Sequence, residues 1–574
     1  MRAFFGKQMS NLCFSRKCIL GGFVSAFALI VALLYLPFSG SPAVFDDHNI
    51  ITNLAAFDYA QHFFSRYTRT FPYFSIGFVQ VLSGSDLLWN RYVNVVLHGG
   101  VILSLYFFLA RVMARIEFVD SLAQRWIPVF ACFWIALSPV AIYAVGYLIQ
   151  RTIVLAALCA ILSANLYLRA QQQERNADLF SAALLAGLSV MCKEHAVLLP
   201  LAAVMLTPLV CDWSRPALLR ALGYLALSLP CAIWALMNRG VDIVGTSYEI
   251  YSGQVLSQFT SQGTFDFFGG VWAMSVATQL LLFWKYLFLW LLPNPQWLSA
   301  DLRVDFPVLW SGGVAYVALL LSLAVLLGAA MHWFRSRAKG KFGQLSAVLL
   351  FAAIPFLVEL SVVRVQEPFV LYRSYLWMPA YALFLCLVVG WGDAWVSQRG
   401  VLQRRVYWGV LLLACTALFP MAQDRLRSFS SEEALWRDAL LKLPRPDVAG
   451  ADRIYYNLAG EAYKRKDYSE ALNYSEKVIV QNPGAFHGYL AQGTSLLALG
   501  KHDAASRAFD AAEAHHPPQV FLGYIEFKRC LVLEFRGLRE DMIACLHRSA
   551  NLGYQNAQMM LNIMGVGTVA PTSN

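Results

Sequence analysis

Between Cys18 and Pro420 this chain repeats one pattern: an apolar run of about twenty residues, a short polar or basic loop, then another run. No other feature constrains the fold so strongly. Crossing roughly 30 Å of hydrocarbon takes about 20 residues at 1.5 Å each, and backbone groups deprived of water must bond within their own segment, so such runs are read as helices. The windows are Cys18 to Pro37, Tyr92 to Phe108, Ile127 to Val145, Ile149 to Tyr167, Leu179 to Val190, Ala196 to Val210, Ala221 to Leu236, Val271 to Leu292, Val308 to Met331, Leu345 to Val363, Leu376 to Val396 and Tyr407 to Pro420. The expectation is an all-α polytopic membrane domain over residues 18–421 with about 11–13 spans. Composition agrees, since 14% charged residues is far below the roughly 25% of a soluble chain. Aromatic content of 14% argues against disorder, and most of the eleven cysteines sit in apolar runs, which argues against a small disulfide scaffold.

The formal charge of +10 is spread over loops rather than gathered on one face, so it reads as membrane orientation and not as nucleic-acid binding. Arg111, Arg115 and Arg125 share one loop, Arg169 and Arg175 a second, and Arg215 and Arg220 a third; Arg335 to Lys341 and Arg399 to Arg405 make two more. These five are read as cytoplasmic, together with the basic leader 1–17. The first outward loop is then 38–91, and other outward segments lie at Pro139, around Lys193, from Asn238 to Gly270, from Pro293 to Pro307 and from Arg364 to Ser374. Counted as a single span, Val271 to Leu292 puts one flanking loop on the wrong side, which points to a re-entrant pair or a miscounted helix.

After Pro420 charge rises and the apolar runs shorten. Pro483 and Pro517 are 34 residues apart, and Tyr455 and Tyr489, Ala459 and Gly493, and Ala471 and Ala505 repeat at that interval, as in tetratricopeptide arrays, although an unrelated small helical bundle would read similarly. The repeat domain is expected at 430–551, with a cap helix at Ser430 to Leu443, units at Arg453 to Pro483 and Gly484 to Pro517, a degenerate third unit at Gln519 to Asn551, and a tail 552–574. Such arrays present a groove for another chain. Cys530 and Cys545 are spaced either for a disulfide or for a pair of free core thiols.

Residues able to do chemistry gather in the outward segments. Phe45-Asp46-Asp47-His48 follows the first span. Adjacent carboxylates at a bilayer boundary are costly unless hydrated, paired or used, though either acid could instead cap a short interfacial helix. Gln150 and Arg151, Lys193-Glu194-His195, and Tyr372, Arg373 and Tyr375 supply polar and basic groups at the same level. Each cation alone could be a snorkelling helix-end residue; several on the face that holds the acids point to a bound anion, and guanidinium forks suit phosphate.

Phe45-Asp46-Asp47-His48-Asn49-Ile50, Asn94 to His98, Pro139 to Arg151, Lys193-Glu194-His195 through Pro200, Pro293 to Asp301 and Tyr372-Arg373-Ser374-Tyr375 through Pro379, taken in that order, resemble the multispanning C-type glycosyltransferases. The likeness is strongest to the transmembrane O-mannosyltransferases with trailing tetratricopeptide repeats. The resemblance implies transfer, with inversion, of one sugar from a polyprenyl-phosphate carrier to an extracytoplasmic protein hydroxyl. Asp46 would be the base, with Asp47 orienting the acceptor; Arg151, Lys193 and Arg373 would bind the donor phosphate; Glu194, His195, His48, Gln150, Tyr372 and Tyr375 would support them. A divalent cation at Asp46 and Asp47 is an option without a third ligand. The partners implied are the sugar lipid, membrane lipids and a protein acceptor such as a pilin, and the setting is a bacterial inner membrane with the site and repeats on the periplasmic side. A lipid-linked sugar or solute transporter, or a non-enzymatic assembly scaffold, are the rival classes; ionisable groups clustered on one face rather than along a transbilayer path disfavour transport.

Overall fold

A computed structural model describes residues 16–48, 58, 69–84, 86–116, 121–239, 256, 270–308 and 312–566. The leader to position 15, Asn49 and Ile50 of the acidic motif, most of 51–68, most of the segment 240–269 and the tail beyond 566 lie outside the described residues. The protein is all-α: among the described residues the only extended pairing is an isolated bridge between Leu302 and Phe369. The helices are α1 Arg16–Tyr35, α2 Thr70–Ser83, α3 Leu88–Met113, α4 Ser121–Leu137, α5 Arg151–Gln173, α6 Asn176–Cys192, α7 Leu199–Met205, α8 Arg215–Arg239, α9 Val271–Leu291, α10 Gly313–Ser336, α11 Gly340–Leu360, α12 Met378–Ser397 and α13 Val401–Ser428, then α14 Glu432–Leu441, α15 Ala451–Lys464, α16 Tyr468–Gln481, α17 Phe486–Ala498, α18 His502–Ala514, α19 Gln519–Phe535, α20 Arg539–Asn551 and α21 Gln555–Ile563. Among the described residues nine helices are long and apolar enough to cross a bilayer, and three shorter apolar helices, Gln124–Leu137, Asn176–Cys192 and Glu194–Met205, accompany them. The protein is embedded in a membrane. One expected helix is broken: the run to Val145 ends at Leu137 because Pro139 has no N–H to continue the ladder, and a one-turn helix Ile142–Val145 and a 3-10 turn Leu148–Gln150 follow.

Contacts sort the loops onto two faces. On one, Arg111 donates to Asn165 and Gln172, Arg220 to Gln171, and Arg337 to the Trp213 carbonyl, so the arginine-rich loops meet. On the other, the turn at 139–150, Lys193 to Leu198, the loop 292–308 and the segment 361–376 surround the residues that follow α1.

Helix α9 resolves the difficulty over parity. Trp272 Nε1 donates to the Leu360 carbonyl (3.1 Å), Ser275 Oγ accepts from the Arg364 N–H (2.8 Å), Gln279 donates to the Pro368 carbonyl (2.7 Å), and Trp290 Nε1 donates to Ser374 Oγ (2.9 Å). From end to end α9 follows the segment that joins the outer ends of α11 and α12, and Trp290 also packs on Tyr381, one turn into α12. Both termini therefore open on the non-basic face, and α9 lies obliquely there without changing sides, although its length and composition match those of a span. The other eleven apolar helices then alternate, and every arginine-rich loop falls on one face.

Helices α14 to α21 form the second unit, folded back on one another through short turns. Ser431 caps α14 by accepting from the Ala434 N–H, and Asp467 caps α16 by accepting from Glu470. Small residues sit where paired helices touch: a Cβ on Gly493 would lie 2.6 Å from the Phe509 ring, and Ala459, Ala471 and Ala505 are buried. The degenerate third unit is a regular hairpin, α19 and α20, joined by a Cys530–Cys545 disulfide with Cα atoms 5.5 Å apart, and α21 follows it. The array docks on the membrane domain through loop 292–308. Lys442 donates to the Leu298 carbonyl, which also accepts from Arg425 of α13, Arg445 pairs with Asp305, and Gly450, at φ +80°, leaves the room that Arg303 fills. The apolar core runs unbroken from the membrane helices to Ile454 and Leu458 of α15.

Candidate active site

Asp46 and Asp47 stand on the turn after α1 and face different surroundings. Asp47 is fully buried; its Oδ1 accepts from the Ile149 N–H (2.9 Å) and its Oδ2 from the Val44 N–H (3.3 Å). Burial pushes its carboxyl up to about 6, opposed by those two N–H groups and by the charge of Arg91. Arg91 also donates to the carbonyls of Ser41, Pro42 and Gly146. Asp47 thus fastens the post-α1 turn to the 147–150 segment and does not face a ligand. Asp46 is exposed, its N–H bonded to the Tyr147 hydroxyl (3.0 Å), and among the described residues its carboxylate makes no hydrogen bond or ion pair.

That free carboxylate opens on a cavity of about 300 Å³ walled by the aromatic faces of Phe45, Tyr143, Tyr147, Phe369, Tyr372 and Phe429 and by Asp301, Glu367 and Arg453. The other two acids are held. Arg303 forks onto Asp301 at 2.5 and 2.8 Å, and Arg453 of α15 donates to Glu367 (2.7 Å) with Asp301 3.6 Å away. Burial would raise the Asp301 carboxyl, but Arg303 and Arg453 together hold it below the ordinary carboxylate value. The second helical unit so contributes a wall of the cavity.

Behind Tyr372 lies a second polar centre. Glu194 accepts both guanidinium arms of Arg69. His195 stands between two carboxylates, Nδ1 3.4 Å from Glu194 and Nε2 3.3 Å from Glu359. Glu359 in turn takes Arg364 (3.1 Å) and Arg373 (3.2 Å), and Lys193 is buried beside Glu194. Among the described residues, Arg69, Lys193, Arg364 and Arg373 thus gather around these two carboxylates and His195. Burial alone would lower the Arg373 guanidinium, yet Glu359 outweighs it and keeps the group charged. Guanidinium and ammonium groups gathered in this way suit an anion such as phosphate. Tyr372 joins the two centres, its phenol raised chiefly by burial while exposed to the charges of Arg373, Asp46 and Arg69.

The remaining candidates from the sequence lie elsewhere. Arg151 is fully buried and donates to Asn94, Asn90 and Ser75, all neutral, on α3 and α2, and it does not line the cavity. Gln150 is buried in the turn before α5. Tyr375 bonds His98 Nδ1 (2.6 Å) inside the helix packing. His48 reaches Glu432 (2.8 Å) and ties the acidic turn to α14. Asp46 and Tyr372 line the cavity, Lys193, Glu194, His195 and Arg373 belong to the adjoining centre, and Asp47, Gln150, Arg151, Tyr375 and His48 belong to neither. Glu359, Arg69, Glu367 and Arg453 escaped the sequence reading; only Glu359, an acid inside an apolar run, carried a signal there. Among the described residues no group of three or more His, Cys, Asp or Glu side chains is arranged to hold a metal ion. No protein-family model matches the chain, and no curated protein matches it.

Proposed function

We propose that the protein is an inverting C-type glycosyltransferase that moves a single sugar from a polyprenyl-phosphate carrier to a protein hydroxyl. The observation that carries this reading is the Asp46 carboxylate, unpaired among the described residues, which opens on an aromatic and acidic cavity beside a cluster of basic side chains. Aromatic faces and fixed carboxylates suit the CH faces and hydroxyls of a pyranose, and about 300 Å³ lies at the small end of ligand sites, room for one sugar rather than an oligosaccharide. The acceptor hydroxyl attacks the anomeric carbon while Asp46 takes its proton. The bond from that carbon to the phosphate oxygen breaks, and the electron pair leaves with the polyprenyl phosphate, stabilised by Arg373, Lys193 and their neighbours. Attack opposite the leaving phosphate inverts the anomeric centre.

The arginine-rich face is cytoplasmic on the positive-inside rule, which puts the cavity and repeats outside, in the periplasm if the membrane is a bacterial inner membrane. The Cys530–Cys545 disulfide supports this, since such bonds persist in oxidising compartments. The acceptor, a pilin or another secreted protein, would lie in the groove of about 500 Å³ on α15, α17 and α19, where Tyr456, Tyr463, Phe521 and Tyr524 surround the small Ala459 and Gly460. Purified protein supplied with short-chain polyprenyl-phosphate hexoses and serine peptides tests the reading. Asp46→Asn should lower transfer about 10²- to 10⁴-fold with the fold intact, as loss of a general base does, and undiminished transfer by that variant rejects it.

A further inference from the structure

A second hollow shares no residue with the polar cavity: a groove of about 760 Å³ between α1, α4 and α13, lined by Trp126, Phe130, Phe133, Trp408 and Leu412 and ending at Arg404 and Arg405. Its lining is apolar except for those two arginines and Thr416. Arg404 is committed, forking onto Asp393 at 2.8 Å through both arms. Arg405 is exposed, and among the described residues it has no hydrogen bond or ion pair. The arginine end lies at the N-terminus of α13, on the face that carries the basic loops, and Trp126 and Trp408 lie near that end, at the level where amphipathic rings prefer the headgroup region. Arg405 and Thr416 are eleven residues apart on one helix, about 17 Å at 1.5 Å per residue, close to half of the roughly 30 Å hydrocarbon thickness.

A groove about 17 Å long along α13, apolar along its length and cationic at its mouth, matches one occupant. We infer that it holds an anionic glycerophospholipid from the leaflet on the basic face, with its phosphate on Arg405 and its acyl chains along Phe130, Phe133 and Leu412. A polyprenyl-phosphate donor does not fit, because its phosphate belongs at the opposite face and a tail entering from there leaves Arg405 without a counter-charge. A zwitterionic headgroup fits less well, since its ammonium would face the same arginine. The inference stands independently of the sugar-transfer reading.

The test uses the full-length protein exchanged into detergent with equal amounts of phosphatidylglycerol and phosphatidylcholine of identical acyl chains, with retained lipids counted by native mass spectrometry. Phosphatidylglycerol should be retained over phosphatidylcholine by about fivefold, the discrimination expected of one cation at an anionic surface. Arg405→Ala should abolish that preference and Arg405→Lys should keep it; Leu412→Trp, which fills the groove, should remove the retained lipid altogether. Because Arg405 is exposed and unpaired, its replacement leaves the fold intact. Equal retention of the two lipids, a preference unchanged in Arg405→Ala, or displacement of the retained phosphatidylglycerol by polyprenyl phosphate would each overturn the assignment.

Discussion

Arg453 lies on the first helix of the repeat unit, yet its guanidinium sits in the cavity of the membrane domain, 2.7 Å from Glu367 and 3.6 Å from Asp301, and within 6 Å of the Phe45 and Trp436 rings. Removing it in Arg453→Met keeps most of the side-chain bulk and deletes the charge. The cavity then holds Asp46, Asp301 and Glu367 against Arg303 alone, one further net negative charge than before. A space of about 300 Å³ is about 8 Å across if roughly spherical, and one unit charge at ~8 Å with an effective dielectric near 20 is worth ~2 kcal/mol, roughly thirtyfold in rate. That is an upper figure, because Arg453 and Glu367 are each about a quarter to a third exposed and water screens the change.

The assay is transfer to a short serine peptide, too small to need the repeat groove. Arg453→Met should lose about tenfold to thirtyfold in kcat with this acceptor, and Arg453→Lys, which restores the charge without the fork, should recover part of it. If the repeats served only as a docking arm, both variants would transfer to the short peptide at the normal rate and only the KM for a long protein acceptor would rise; that result would refute the view that the repeat domain completes the site.

Asp47 offers a pH test. Its carboxyl stands near 6 in the folded chain against 3.8 for an ordinary aspartate, so the folded state takes up its proton first. The stability this group contributes is therefore fully present below about 3.8 and is lost as pH rises through about 6, a swing of ~3 kcal/mol. Asp47→Asn should lose that slope while retaining much of its transfer activity, since the amide oxygen can still accept from Ile149; parallel stability curves for the two proteins between pH 4 and 7.5 would remove the basis for this assignment. Glu359→Gln should leave Arg364 and Arg373 without their shared carboxylate in a buried setting, at about 3–5 kcal/mol. A thermal midpoint equal to that of the unaltered protein would argue against so tight a network. For α9, single cysteines at Ala273 and Gln296 in a background without the native thiols should both react with an impermeant maleimide from the same side, whereas labelling from opposite sides would make α9 a true span.

What could be read from the sequence depended on how far each signal reached. Helical character and rough limits follow from periodicity within one segment, so α3, α5, α8 and α11 lay where their apolar runs are. The basic loops likewise needed only a count of Arg and Lys. By contrast, α9 has the length, apolarity and aromatic content of a span; what keeps it on one face is a set of bonds to 360–374, contributed by a segment some ninety residues later. The loop count had already exposed the conflict without identifying its cause. The same distinction applies at the site. Asp46 was visible as one of two acids at a bilayer boundary, but nothing local separates it from Asp47, whose inward turn is fixed by the Ile149 N–H a hundred residues on. Arg151 looked like a phosphate ligand because an arginine near hydrocarbon needs a reason, and the reason lies in Asn90 and Asn94 on the neighbouring helix. Arg453 carries no signal of its own in the sequence, because it reaches the cavity only through the docking of α15 on the loop 292–308. In each case the ambiguous charge was resolved by a partner on another element. The most exposed acid in the region, Asp46, is the one that no such partner claims, which is why the chemistry is assigned to it.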